Sequence, residues 1–245
     1  MKRVLIVGAT SAMAEACARH WAGPDSRFFL VARNGVHLGQ IADDLAARGA
    51  VAESYVMDAN IIDDHAAMLD AAQKMLGAID IVLIAHGTLA DQQACQKSVA
   101  QTLAEINTNG VSTVALLTLI ANVMERQGRG SIVVISSVAG DRGRPSNYVY
   151  GAAKAMVSAF CDGMRARLFK VGVHLVTVKP GFVDTPMTAG LNLPKLLTAS
   201  TAQVARDIDS AIARKKEVLY TAWYWRWIML IIKMIPAPIF KKLSL

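Results

Sequence analysis

Apolar positions along the chain gather into short runs at residues 3–7, 28–31, 50–56, 79–85, 131–136, 173–179 and 218–220, with helix-length stretches between them. Runs such as Ile81-Val82-Leu83-Ile84 and Ile132-Val133-Val134-Ile135 have no polar face. Strands that are apolar on both sides belong in a parallel sheet covered by helices on both faces. The pattern therefore predicts an α/β chain with a doubly wound parallel sheet of about seven strands. Ligands of such sheets bind beyond the carboxyl ends of the strands, near the point where strand order reverses. The polar and small residues that follow strands are accordingly the places to look for chemistry.

Composition narrows the picture. A chain of 245 residues, 53% hydrophobic and 18% charged, is long enough for one well-buried core, and no linker or low-complexity stretch divides it. The expected division is one catalytic domain over residues 1–222 and a distinct tail over 223–245. The net charge of +7 is spread along the chain, without the dense Lys/Arg block or aromatic-basic interleave of a nucleic-acid binder. A phosphorylated ligand or an anionic membrane explains it better. Cys17, Cys95 and Cys161 are odd in number and form no CxxC, which fits reduced, buried thiols and no metal site. Lys2-Arg3, the apolar Val4-Leu5-Ile6-Val7 and Ala12-Met13-Ala14 imitate a signal peptide, but the apolar part is too short and cleavage would remove the first strand. The expectation is a cytoplasmic protein.

Three residues suggest a reaction. Tyr150 and Lys154 lie four apart, and residues at that spacing share one helix face, so an ammonium can sit beside a phenol. A positive neighbour favours the phenolate and lowers the tyrosine pKa from its usual value of about 10. Ser137, thirteen residues before the tyrosine and just after a strand, could donate a hydrogen bond to a reacting carbonyl oxygen. Together they describe carbonyl reduction or its reverse, although the spacing alone also fits a solvated helix face. After the first strand, the small-residue turn Gly8-Ala9-Thr10-Ser11-Ala12-Met13-Ala14 leads into a helix whose backbone N–H groups could approach a pyrophosphate; an ordinary tight turn is the other reading. Arg33, at the end of the second strand, could pair with a 2′-phosphate where an NAD-selective site places an acid, so NADPH is favoured over NADH. Asp58, after the third strand, could accept from an adenine amino group or cap the helix that follows.

These residues, with Asn107 in Glu105-Ile106-Asn107-Thr108-Asn109-Gly110 and the segment Pro180-Gly181-Phe182-Val183-Asp184-Thr185, resemble the short-chain dehydrogenase/reductase family in order and spacing over essentially the whole chain. The resemblance implies a single-domain Rossmann-type fold binding NAD(P). It makes Tyr150 the general acid/base, Lys154 the group that lowers its pKa and holds the nicotinamide ribose, Ser137 the carbonyl-positioning residue and Asn107 the anchor of a relay water. Pro180, Gly181, Val183 and Thr185 would contact the nicotinamide. Thr10, Ser11, Ala12 and Met13 would join Gly8 at the pyrophosphate, and Ala85, His86 and Gly87 would lie beside the cofactor. Two departures stand out: the family's TGxxxGxG keeps one glycine, Gly8, and its NNAG has become Ile84-Ala85-His86-Gly87. A dimer or tetramer built on the helices carrying Asn107 and Tyr150 is also implied.

Within the family, Ala85-His86-Gly87-Thr88-Leu89, Ala139-Gly140-Asp141-Arg142-Gly143-Arg144 and Ile235-Pro236-Ala237-Pro238 resemble members that reduce decaprenylphosphoryl 2-keto-erythro-pentose. That likeness implies a polyprenyl-phosphate-linked keto sugar, whose phosphate Arg142 and Arg144 could meet. The alternatives are a soluble ketone, a 3-ketoacyl thioester, or a dinucleotide-binding regulatory protein without turnover. From Trp223 the chain turns aromatic, apolar and basic, and its uninterrupted apolar run Ile228-Met229-Leu230-Ile231-Ile232 is far short of the roughly 20 residues needed to span a bilayer. The tail reads as a membrane-surface anchor, a lid over an apolar substrate, or a subunit contact.

Overall fold

The computed structural model describes residues 1–89, 91–190 and 192–243. Its strands are β1 (Lys2–Val7), β2 (Ser26–Ala32), β3 (Val51–Val56), β4 (Ile81–Ile84), β5 (Ser131–Ile135), β6 (His174–Pro180), β7 (Phe182–Val183), β8 (Thr198–Ala199) and β9 (Val218–Thr221). The helices are α1 (Ala12–Trp21), α2 (Gly35–Ala47), α3 (Asp64–Leu76), α4 (Gln92–Cys95), α5 (Val99–Ile106), α6 (Ser112–Gln127), α7 (Tyr148–Phe169), α8 (Thr201–Ala213), α9 (Trp225–Met234) and α10 (Ala237–Phe240). Seven strands form one parallel sheet in the order β3-β2-β1-β4-β5-β6-β9, and β7 and β8 pair in a small separate ladder.

Alternation within each strand explains why so many runs are apolar throughout. Val4 and Ile6, Phe28 and Leu30, and Val133 and Ile135 face one core beneath α1, α2 and α8. Their neighbours Leu5 and Val7, Phe29 and Val31, and Ile132 and Val134 face a second core beneath α3, α6 and α7. Cys17, Cys95 and Cys161 are free and buried, as their spacing suggested.

Strand order reverses between β1 and β4, and there the loops after the two strands touch. Gly8 has φ +83°, and a Cβ on it would lie 2.4 Å from the His86 backbone nitrogen. A side chain is excluded both by the left-handed backbone and by that contact. This is why Gly8 is the one glycine of the turn that the chain keeps. Between α5 and α6 the helix widens into the π turn Asn107–Val111, a geometry often found at functional sites.

The described residues of the tail, 223–243, do not hang free. Trp225 and Met229 on the inner face of α9 are buried with Val138, and Phe182, Leu197, Tyr220 and Ile232 pack around them. Burying two such side chains stabilises the docked helix by about 1.5–3 kcal/mol each. The described part of the tail is thus continuous with the loop after β5; Ser244 and Leu245 lie outside the described residues.

Candidate active site

Gly8, Thr10, Ser11, Ala12, Met13, Arg33, Asp58, Ala85, His86, Gly87 and Thr185 line one cleft of about 290 Å³ across the carboxyl ends of β1, β2, β3 and β4. Its features fit a dinucleotide. Ser11 is the N-cap of α1 and makes no side-chain capping bond, so the N–H groups of the first turn remain for an anion. Arg33 stands at the far end with its side chain 67% exposed, its guanidinium 3.9 Å from the Asp58 carboxylate. Such a loose exposed pair contributes little to stability, which leaves the cation available to a phosphate. Asp58 also accepts a hydrogen bond from the Asn60 backbone N–H at 2.9 Å, while Asp63 occupies the N-cap position of α3. The helix-capping alternative for Asp58 is thereby excluded, and its second oxygen faces the Arg33 side.

Pro180, Gly181 and Val183 do not line this cleft. Pro180 ends β6 beside Thr221, and Val183 pairs with Ala199. Gly181 lies beneath Trp225, so close that a Cβ on it would approach the indole to 2.0 Å.

Ser137, Tyr150 and Lys154 come together where β5 meets α7. Two glycines allow it: a Cβ at Gly140 would be 2.7 Å from the Lys154 carbonyl carbon, and one at Gly151 would be 2.8 Å from the Ala139 oxygen. The short turn Val138–Gly140 can therefore lie directly on α7. Ser137 is buried, and its Oγ accepts from the Ala139 N–H at 3.1 Å. The Lys154 ammonium is buried, donates to the Ile135 carbonyl at 3.2 Å and lies 5.7 Å from the Tyr150 ring centroid. Its backbone carbonyl accepts from Ser136 and Ser158, which ties α7 to the strand end.

Electrostatics here differ from the expectation. Burial pushes the Tyr150 phenol up to about 12, with the Ser137 hydroxyl pulling in the opposite direction. Burial likewise pushes the Lys154 ammonium down to about 8. Desolvation is the larger influence on the phenol, and the Ser137 hydrogen bond opposes it. At neutral pH the pair is a protonated phenol beside an ammonium, able to donate a proton to a bound oxygen.

Residues 2–195 match the model of the short chain dehydrogenase family. The chain belongs to that family. An uncharacterized oxidoreductase of Mycobacterium tuberculosis is 34% identical over 98% of this chain and 96% of its own length. The ketoacyl reductase HetN of Nostoc is 32% identical, covering 87% of this chain and 76% of HetN. Among solved structures, an actinorhodin polyketide ketoreductase variant with NADPH superposes with a TM-score of 0.80 at 21% identity, covering 91% of this chain and 97% of that one. ElxO with NADP bound gives 0.82 at 20% identity, covering 92% and 99%. These two establish the fold. Membership makes this short-chain dehydrogenase an NAD(P)-dependent oxidoreductase with a single Rossmann-type domain.

The family's motif asparagine, Asn107, reaches the cleft through Asn60, one of its lining residues. Its Nδ2 donates to Asn60 Oδ1 at 3.0 Å. Asn109, two residues on and fully buried, accepts from the Thr88 N–H at 3.0 Å and donates to the Glu105 carboxylate at 2.9 Å. A side chain at Gly87 would meet Asn109 Oδ1 at 2.7 Å and Lys154 Nζ at 3.5 Å, so both groups flank that glycine. Sequence spacing pointed to Asn107; Asn109, on the same π turn, is a second asparagine beside the site. His86 lines the cleft but also points at α6, with Nε2 2.9 Å from Ser112 Oγ. Ser112 donates its own proton to the Thr108 carbonyl, so His86 Nε2 is the donor to Ser112. Burial and the nearby Lys154 charge hold the ring down to about 3, and it stays neutral.

The two arginines assigned to a substrate phosphate separate. Arg142 donates to the carbonyls of Ile232 at 2.5 Å and Ile235 at 2.7 Å and stacks 3.7 Å over the Phe240 ring. It clamps the tail through Nη1. Arg144 keeps a buried Nε without a partner, and burial lowers its pKa. Asp141 beside them accepts from Lys179 at 2.5 Å and from the Tyr220 hydroxyl at 2.8 Å, fixing the loop to β6 and β9.

Proposed function

We propose that this protein is an NADPH-preferring reductase of a ketone on an apolar molecule. The observation that carries the reading is the meeting of Ser137, Tyr150 and the buried Lys154 ammonium, which flanks Gly87 on the lining of a cleft whose far end presents Arg33. Gly8, Ser11 and Arg33 would hold the dinucleotide, which when bound would supply a hydride. Ser137 hydrogen-bonds the carbonyl oxygen, and Tyr150 gives that oxygen its proton. The Lys154 ammonium stabilises the phenolate left behind. Asn109, with Asn107 on the same π turn, holds the surrounding network in register. In the oxidative direction the same groups take the proton from an alcohol.

Arg33 supports a 2′-phosphate, with NADH as the poorer cofactor. Calorimetric titration of wild type and Arg33→Ala with both dinucleotides tests this: NADPH affinity falls in the variant while NADH affinity holds. Equal loss for both, or no binding of either to wild type, would sink it. For the substrate, the HetN likeness supports a 3-ketoacyl thioester. The Arg144 side chain supports a polyprenyl-phosphate-linked 2-keto sugar, since its buried Nε lacks a partner that a phosphate oxygen would supply. The same reading takes the protein as a cytoplasmic homodimer or homotetramer.

A further inference from the structure

Helix α9 carries apolar residues on both sides. Its inner side seats Trp225 and Met229 in the cluster beside Val138. Trp227, Ile231 and Met234 follow at helical spacing on the outer side and are 55%, 66% and 74% exposed, with Trp223 just ahead at 72%. Ile239 on α10 is 56% exposed. From Val218 to the end the chain has no acidic residue, while Arg226, Lys233, Lys241 and Lys242 supply four cations. Exposed tryptophans among apolar and basic residues, with no carboxylate, complement the boundary between acyl chains and anionic headgroups.

We propose that this outer face docks on an anionic lipid bilayer and thereby presents the active site to apolar ketones dissolved there. The proposal rests on the reductase reading of the site and adds its partner. The link to the site is physical. The inner side of the docking helix packs on Val138, next to Ser137, and on Phe182, next to Gly181. Arg142, five residues after Ser137, grips the carbonyls at the end of α9. A bilayer held against the outer side therefore lies one helix away from the reacting groups.

The test is co-sedimentation of the full-length protein with vesicles of phosphatidylcholine alone and of phosphatidylcholine mixed with phosphatidylglycerol. The protein is expected to pellet with the anionic vesicles and not with the neutral ones. Exchanging Lys241→Gln together with Lys242→Gln should weaken that partition about 25-fold, at about fivefold for each cation near the surface. Trp227→Ser with Ile231→Ser should abolish it without changing the circular dichroism melt. A wild type that stays in the supernatant with both vesicles overturns the proposal. So does a Trp227/Ile231 variant that changes subunit number by light scattering while its partition is unaltered, which would give the face to a second copy of the chain. NADPH oxidation with a soluble diketone, run on the same samples, separates the two readings: turnover without vesicle binding removes this inference and leaves the reductase standing, whereas vesicle binding without turnover does the reverse.

Discussion

Gly181 and Trp225 are in such close contact that exchanging either changes what the other can tolerate. An alanine at 181 would place its methyl 2.0 Å from Trp225 Nε1 and Cε2. The indole is only 4% exposed, donates to the Leu197 carbonyl at 3.2 Å and receives the edge of Phe182 at a centroid distance of 5.1 Å. It cannot slide aside without losing those contacts. Overpacking of this kind costs about 1–3 kcal/mol. Expelling the ring instead loses about 1.5–3 kcal/mol of burial and about 1 kcal/mol of hydrogen bond. Expulsion, at about 2.5–4 kcal/mol, is the less favourable route, so overpacking sets the loss for Gly181→Ala at about 1–3 kcal/mol. Trp225→Ala alone should lose about 3–5 kcal/mol. In the double variant the methyl enters vacated space, so the pair should be no worse than Trp225→Ala, a coupling of about 2 kcal/mol. Urea unfolding followed by far-ultraviolet circular dichroism on the four proteins measures the cycle. Additive losses would refute the contact and, with it, the docking of α9 on the segment after β6.

The pH profile should report Lys154 rather than Tyr150. The lysine is held down to about 8 and the tyrosine up to about 12, so kcat/KM for ketone reduction should fall as pH rises through about 8, where the ammonium loses its proton while the phenol keeps its own; a rate unchanged from pH 6 to 10 contradicts this. Asn109→Leu leaves the Thr88 N–H without its partner, costing about 1–3 kcal/mol, and should lower both the melting temperature and kcat more than Asn107→Ala does. The reverse ranking would return the positioning role to Asn107.

The fold was largely legible because apolar periodicity carries it: every strand of the main sheet was expected within two or three residues of its place. The residues of the dinucleotide cleft were legible for a related reason, since each follows a strand and topology alone gathers strand ends. What escaped depends on contacts distant in sequence or on helix register. Asn109 lies on the π turn, which no periodicity reveals. Arg142 resembled a free loop cation because its acceptors are backbone carbonyls about ninety residues away. Gly181 resembled a cofactor contact until the tail folded over it. The rise in the Tyr150 pKa was not legible because spacing reveals a neighbouring charge but not how much water the fold removes.

The central claim is that Tyr150 is the proton donor of an NADPH-dependent carbonyl reduction. The measurement that tests it most directly is steady-state NADPH oxidation with a diketone by wild type and Tyr150→Phe, with NADPH affinity measured on both. Turnover should fall by about 10²–10⁴-fold while cofactor affinity stays within a factor of about three. A phenylalanine variant that retains turnover within about tenfold of wild type would contradict the account.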